Sequence, residues 1–239
     1  MVLQALHGRD PRDPTSRSVP FVWEESRPLS EHRIGYIQRE YENSGFDPIW
    51  KDVYGQVLRT LEGLGARLEP VALPAAPMDA MRLIMQVEAA TFFDELVLQK
   101  REGELVRQTS ASWPNIFRSA RFVPAVEYLR AQRTRRVLIE AYHRTLGGFD
   151  AIIVPDSSPL VAMTSLTGHP TLSIPCGFNS KGQPLGLVLV GSLYGEAALL
   201  DVGWHYAEAT DWWRMRPRYV LEGAAAGPDD DGRPLTRTL

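Results

Sequence analysis

Three short apolar runs between residues 149 and 191 form the clearest pattern in the chain. They are Ala151–Val154, Thr171–Ile174 and Leu185–Val190, and each is closed by proline or glycine. Short apolar runs bounded by turn residues are typical of buried strands. We therefore predict three buried strands here, with a loop between the first two that resembles a ligand site.

A strand–helix–strand unit is predicted upstream. Residues 33–38 and 67–73 have the apolar content and flanking turn residues of strands. Between them, apolar side chains recur at helical spacing, with Asp47 as the N-cap, Pro48 at the first helical position and Gly65 after the end. Units of this kind are typical of α/β sheets.

Further helices are predicted from the same spacing over residues 79–99, 124–146 and 196–210, whereas residues 101–122 are predicted to be irregular. The apolar face of the helix at 124–146 is predicted to contain Val126, Leu129, Val137, Leu138, Ala141, Tyr142 and Leu146.

The two ends of the chain differ from the α/β portion that we predict for residues 33–220. Val2, Leu3 and Leu6, followed by Gly8, have the pattern of the last turn of a helix. Prolines and polar residues dominate the stretch that follows, so we expect residues 1–32 to be an extended connector with a helix remnant. Residues 221–239 have almost no apolar content and are predicted to be disordered.

Composition narrows the classes of function. The net charge is −3 and no basic stripe occurs, so nucleic acid is not an expected partner. No apolar run approaches the roughly 20 residues of a membrane span, so no membrane partner is expected. The single cysteine excludes an internal disulfide and fits a reducing compartment, and no signal-peptide pattern occurs. We therefore expect a cytoplasmic location.

Reactive side chains are few. No zinc-site spacing occurs among the histidines, and no GxSxG nucleophile motif is found, so neither a metal nor another cofactor is expected. The lysines lie in helical or turn contexts typical of solvated surface: Lys51, Lys100 and Lys181. Cys176 and His169 could form a catalytic Cys–His pair, although the apolar surroundings of Cys176 favour a structural role in the core.

Six segments in order resemble the C-terminal part of an amidase-signature enzyme. They are GRDPRDPTS at 8–16, RIGYI at 33–37, the helix around Val137, AIIVPDSSP at 151–159, TGHPTLSIPCGF at 167–178 and GQPLGLVLVG at 182–191. The resemblance implies an α/β fold in which helices cover a large mixed sheet. This chain would form a partial mixed sheet, corresponding to the C-terminal half of that fold.

The resemblance also implies hydrolysis of a carboxamide by a serine, activated through a second serine and a lysine without a metal. Such a lysine must be buried and neutral to accept a proton. In the family, the lysine and the Gly/Ser-rich signature precede the GxDPxDP connector, and only seven residues precede Gly8 here. We therefore expect a truncated chain without catalytic residues, inactive alone, whose partner is the missing N-terminal half or a second copy.

Two loops resemble the wall of the family's substrate cleft. One follows the first buried strand and the other introduces the second, while a serine stands just before the second loop where the family usually has asparagine. Simple turn polarity is the alternative for the first loop. The candidate contacts for a small amide substrate are Asp156, Ser157, Ser165, Thr167, Gly168 and His169.

Arginines and tryptophans elsewhere admit two interpretations each. Arg133, Arg135 and Arg136 could bind a carboxylate or form the solvated face of their helix. Trp113 and the pair Trp212-Trp213 could stack on a ligand or pack beneath irregular loops.

Three functions remain open from the sequence. The chain is an inactive C-terminal portion of an amidase-like hydrolase, a non-catalytic module that binds a carboxamide or another chain, or a hydrolase that uses Cys176 and His169. The first hypothesis predicts uncovered strand edges and apolar helix faces, and hence aggregation, dimerisation or need of a partner. No residue pattern selects a particular amide.

Overall fold

A computed structural model describes residues 2–23, 27–39, 48–75 and 77–217. The first elements are α1 (Val2–Leu6), β1 (Arg33–Tyr36), α2 (Pro48–Gly63), β2 (Arg67–Pro70), α3 (Met78–Phe92), α4 (Asp94–Leu98) and α5 (Trp113–Ala120). They are followed by α6 (Ala125–Leu146), β3 (Ala151–Pro155), α7 (Pro159–Thr167), β4 (Thr171–Phe178), β5 (Pro184–Val190) and α8 (Glu196–Ala209). Short 3₁₀ turns occupy Leu29–Glu31, Glu102–Glu104 and Trp212–Arg214. The predicted N-cap Asp47 and the predicted disordered tail, 221–239, lie outside the described residues.

Two compact units divide the chain. The first contains the residues up to Ala72, Leu146–Thr164 and those from Gly168 onward, and it holds the sheet. The second contains Leu73–Thr145 and Ser165–Thr167 and is helical. No helix among the described residues is long and apolar enough to cross a membrane.

The sheet of the first unit has five strands in the order β2-β1-β3-β5-β4. β1 runs parallel to β2 and β3, whereas β5 runs antiparallel to β3 and β4. The mixed sheet with covering helices confirms the predicted α/β class, and all three apolar runs are strands. The prediction that Thr171–Ile174 is buried is wrong: Thr171 and Ser173 are exposed, because β4 lies at the edge of the sheet. Every residue of β3 is buried, as its uninterrupted apolar sequence predicts.

The core of the first unit forms where β1, β3 and β5 meet α2 and α8. Ile34, Ile153 and Leu187 from the strands pack with Leu61 of α2 and Val202 of α8, and all five are almost completely buried. This packing explains why the apolar residues of α2 and α8 recur at helical spacing.

The helix end predicted near the start of the chain is present. Helix α1 stops at Leu6, and Gly8 follows it with a φ of +139°, a backbone conformation that favours glycine.

The second unit corrects the prediction that residues 101–122 are irregular. Trp113–Ala120 form α5, whose Phe117 and Ala120 are buried beside Ala90 of α3. Phe117 also stacks on Phe93, with ring centroids 5.2 Å apart. The helix is only eight residues long, so its periodicity is too brief to distinguish from loop sequence without the packing that stabilises it.

Helix α6 corrects a second prediction, that of a single apolar face. Leu138, Tyr142 and Leu146 are buried as expected, but Val126 and Val137 are 57% and 66% exposed. At 100° per residue these two valines lie on the side opposite the buried residues. Leu129 is exposed as well, so α6 has apolar residues on both sides.

Candidate functional site

Helix α7 occupies most of the segment between β3 and β4, which the sequence predicted to be a loop. Ser158 is its N-cap: the side chain is buried and its Oγ accepts a hydrogen bond from the Leu160 N–H at 3.1 Å. Pro159 follows at the first helical position. Sequence analysis did not single out this serine, although Ser-Pro before an apolar run is a recognised helix start. The buried cap fixes where the chain leaves β3.

Asp156 and Ser157 lie in the turn between β3 and α7, and both are exposed. The Asp156 N–H donates to the Gly186 carbonyl at 3.3 Å, and its Oδ2 accepts from the Gly186 N–H at 3.3 Å. These two bonds hold Asp156 against β5. A Cβ at Gly186 would lie 3.2 Å from that Oδ2 and 3.5 Å from Ser173 Oγ, so a carboxylate and a hydroxyl converge beside this glycine.

Gly168 and His169 lie at the other end of α7. Gly168 has a φ of +82° and donates its N–H to the Thr164 carbonyl at 2.8 Å, which ends the helix in the left-handed conformation that glycine adopts without strain. His169 is buried. The nine residues of α7 place this pair about 13 Å along the helix from the turn at Asp156. The structure therefore places the predicted contacts Asp156 and Ser157 at one end of α7 and Gly168 and His169 at the other end.

Ser165 and Thr167 belong to the last turn of α7. Ser165 is exposed, whereas Thr167 is buried. Between them, the Leu166 carbonyl accepts a hydrogen bond from Arg135 Nε of α6 at 2.6 Å. Arg135 is therefore not a solvated surface residue, whereas Arg133 and Arg136 are exposed, as the surface interpretation predicts.

The Cys–His interpretation of Cys176 and His169 is wrong. The two residues lie near opposite ends of β4, and seven residues of extended chain span roughly 20 Å. Cys176 is 2% exposed, and its Sγ donates to the Leu185 carbonyl at 3.5 Å. Burial, and secondarily the Asp156 carboxylate, raises the pKa of the Cys176 thiol from 9.0 to about 12. The thiolate required of a nucleophile is thus strongly disfavoured at neutral pH.

The raised pKa of Cys176 predicts a loss of stability in alkali. Above pH 9 the unfolded chain releases the thiol proton while the folded chain retains it up to about pH 12. Between pH 9 and pH 10 this difference lowers the free energy of unfolding by about 1 kcal/mol. Urea titrations at both pH values measure it. A Cys176→Ala variant should not show this loss between pH 9 and pH 10. An equal change in the free energy of unfolding with pH in both proteins would contradict the raised pKa of Cys176.

A buried polar cluster joins the segment before β1 to α8, and sequence analysis missed it. His32 Nε2 lies 2.8 Å from Asp201 Oδ2, and both side chains are almost fully buried. Arg27 Nη2 lies 3.2 Å from His32 Nδ1. Because a guanidinium can only donate, Nδ1 accepts and the ring proton lies on Nε2, directed at Asp201. Asp201 within the apolar sequence of α8 was the available signal.

Asp150 forms the outer side of this cluster. Its carboxylate lies 3.6 Å from Arg27 Nη2 and 3.8 Å from His32 Nδ1, and it accepts from the Arg33 N–H at 2.9 Å. The cluster therefore links the connector to the start of β1 and to α8 through acidic and basic side chains. Its bonds are internally complementary, which indicates a structural role.

The described part of the chain contains neither a buried lysine nor a cluster of side chains that could bind a metal. Lys51, Lys100 and Lys181 are all exposed, which confirms the surface interpretation. Within the described ranges, no group of three or more His, Cys, Asp or Glu side chains is placed to hold a metal ion.

Comparisons with known proteins agree on one family. The family model described as Amidase matches residues 1–160. The A subunit of glutamyl-tRNA(Gln) amidotransferase from Thermosynechococcus vestitus is 29% identical over 91% of this chain and 54% of its own length. The corresponding protein from Cupriavidus pinatubonensis is 30% identical over 81% of this chain and 46% of its own length.

Solved structures share the fold. The peptide amidase from Stenotrophomonas maltophilia matches 90% of this chain and 51% of its own chain, with a TM-score of 0.67 and 21% identity. A bacterial aryl acylamidase of the amidase signature family matches 89% of this chain and 51% of its own, with a TM-score of 0.68 and 17% identity. The chain thus spans about half the length of the relatives it matches.

Proposed function

Because the chain belongs to the amidase family, we propose that it is the C-terminal portion of an amidase-like hydrolase of carboxamide C–N bonds and is inactive alone. The main support for this proposal is that the lysines of the chain are exposed. The family's mechanism needs a lysine that is neutral at working pH, which burial provides, and each lysine of this chain is exposed. The serines and the lysine that perform the chemistry would then come from a segment not included in these 239 residues.

The role we propose for the chain itself is substrate recognition. The pinned carboxylate of Asp156 can accept an amide N–H, and Ser173 Oγ lies close enough to the same glycine to add a donor or acceptor. Space is open beside the backbone of Gly168, because a Cβ built there would meet only Leu193, at 4.0 Å. The proposed substrate contacts remain Asp156, Ser157, Ser165, Thr167, Gly168 and His169.

We further propose a protein partner, either the N-terminal half of the amidase fold or a second copy. Phe92, Val106 and Phe122 of the second unit are each more than 80% exposed. Large apolar side chains exposed to this degree are costly in water and are usual at interaction surfaces. Several relatives are named as subunits, which supports a partner. We also propose a cytoplasmic location, which the single cysteine supports.

The second candidate function is a non-catalytic module that binds a carboxamide or pairs with another chain. The same exposed apolar residues favour it, and it differs from the first candidate in needing no hydrolysis in any complex. The DNA upstream of the Met1 codon distinguishes the two candidates. A Gly/Ser-rich signature with a lysine, in frame or in an adjacent gene, supports the hydrolase.

The decisive experiment is an ammonia-release assay on acetamide, benzamide and a peptide amide. We expect no turnover by the 239-residue chain and turnover once the upstream segment is added, covalently or by co-expression. Replacing that segment's lysine with methionine should abolish the activity. Turnover by the 239-residue chain alone, co-eluting with it in gel filtration, would overturn the proposal. A monodisperse, reversibly unfolding chain without activity in either form would favour the binding module.

A further inference from the structure

We propose that the outer edge of β4 is a docking surface for a second copy of this chain, and that two copies join by antiparallel pairing of their β4 strands. β4 is the last strand of the sheet, and no other strand among the described residues pairs with its outer side. The inference rests on the protein partner proposed above, for which it names the surface and the occupant. It requires no hydrolysis.

The backbone of β4 directs hydrogen-bonding groups away from β5. The Gly191 N–H donates to the Pro170 carbonyl at 3.0 Å, so these two residues form a hydrogen-bonded pair of the ladder. Hydrogen-bonded and non-bonded pairs alternate in an antiparallel ladder, so Thr171 and Ser173 stand opposite β5 residues without bonding them. The N–H and C=O groups of Thr171 and Ser173 therefore point outward, where a further strand can bind them.

The two edges of the sheet differ in how they resist such pairing. β2, at the opposite edge, is a strand of four residues that contains Arg67 and Glu69 and ends at a proline. Shortness, charge and proline are the features that protect an edge strand from pairing. The first half of β4, Thr171–Ile174, has neither charge nor proline, and a bulge between Pro175 and Gly177 follows it. The edge of β2 is therefore protected, whereas that of β4 is open.

The side chains of β4 match a second copy of the same strand. Antiparallel pairing about Leu172 puts Thr171 of each copy opposite Ser173 of the other, where the two hydroxyls can bond, and no like charges meet. The outward groups of Thr171 and Ser173 then form about four backbone hydrogen bonds. On the other face, Leu172 packs against the core and would meet its counterpart, so the apolar layer continues across the interface.

This arrangement ends at a dimer. A twofold axis uses the β4 edge of both copies, and the joined sheet then has only the two protected β2 edges. A second copy therefore satisfies the open edge without creating a new one.

The test is sedimentation equilibrium of the 239-residue chain between about 1 and 200 μM, with two variants at Ser173. We expect a monomer–dimer equilibrium with a micromolar Kd, because the interface is small. Ser173→Ala keeps the outward N–H and should weaken dimerisation by about threefold. Ser173→Pro removes that N–H and leaves the bonds to β5, so it should weaken dimerisation by about thirtyfold or more. Circular dichroism checks that both variants are folded.

Hydrogen–deuterium exchange of the parent chain gives a second measurement that needs no variant. The amides of Thr171 and Ser173 should exchange about threefold more slowly at the highest concentration than at the lowest, because pairing protects them. Phe122 of the second unit is 86% exposed and represents the competing apolar surface, so Phe122→Asp should dimerise like the parent chain.

Three results would overturn the inference. They are a parent chain that stays monomeric, equal dimerisation by Ser173→Ala and Ser173→Pro, and a dimer that only Phe122→Asp dissociates. A monomeric chain whose β4 amides become protected on co-expression with the upstream segment would assign the edge to that segment instead. A monomeric parent chain leaves the ammonia-release test of the proposed hydrolase unaffected.

Discussion

Replacing Asp201 with alanine is expected to lower the free energy of unfolding by about 3 kcal/mol. The carboxylate accepts from the His32 Nε2–H at 2.8 Å and from the Arg27 backbone N–H at 3.3 Å. With this acceptor removed, the His32 Nε2–H would remain directed into a buried space, and the partly buried Arg27 N–H would lose its partner. Losing the bond from the Arg27 N–H also loosens the contact between the connector and α8, which is then held at Arg27 by the 3.0 Å bond between His205 Nε2 and the Arg27 carbonyl. Urea denaturation at pH 7 measures the effect.

Asp201→Asn and Asp211→Ala are the matched variants for this prediction. Asparagine keeps an acceptor for the His32 Nε2–H, so its cost should be nearer about 1 kcal/mol. Asp211 pairs with Arg214 at 3.1 Å on the surface, where both side chains are more than 60% exposed, and its loss should cost less than about 0.5 kcal/mol. Similar effects of the two alanine variants would show that the buried cluster does not stabilise the fold.

Gly35→Ala is expected to lower the free energy of unfolding by about 2 kcal/mol. Gly35 lies in β1, between β2 and β3, and is buried. A Cβ there would lie 2.5 Å from Val71 Cγ2, 3.2 Å from Phe149 Cδ1 and 3.3 Å from Ile152 Cγ1. Valine has a restricted χ1 angle, so Val71 cannot turn aside without strain. The strand or its neighbours must therefore shift.

Gly63→Ala is the control for Gly35→Ala. Gly63 is the last residue of α2, and a Cβ there would meet no atom within 4 Å. Alanine should stabilise the chain by about 0.5 kcal/mol, since it restricts the unfolded state and favours the helix. Thermal or urea unfolding of the two variants should give effects of opposite sign. A neutral Gly35→Ala variant would indicate that the sheet tolerates the added methyl group.

The family assignment and the fold class were predictable from sequence because both rest on ordered local patterns. Each apolar run closed by proline or glycine became a strand, and the helical spacing in α2 and α8 matched their buried faces. The resemblance to amidase-signature enzymes rested on six such segments in order, and the family match over residues 1–160 confirms it. The proposed substrate contacts stay predictions, since a turn residue and a substrate contact have the same sequence signature.

Sequence by itself determined where the strands and the longer helices form and which family the chain belongs to, because local spacing and turn chemistry are written in neighbouring residues. The short helices α5 and α7 were not predicted. Only the tertiary structure showed that Cys176 and His169 lie near opposite ends of a strand, that His32 meets Asp201 across 169 residues, and that Arg135 bonds the end of α7. The solvent exposure of the lysines, expected from sequence, likewise needed the fold for its confirmation. Distance, burial and pKa depend on residues far apart in the chain, so no local pattern specifies them.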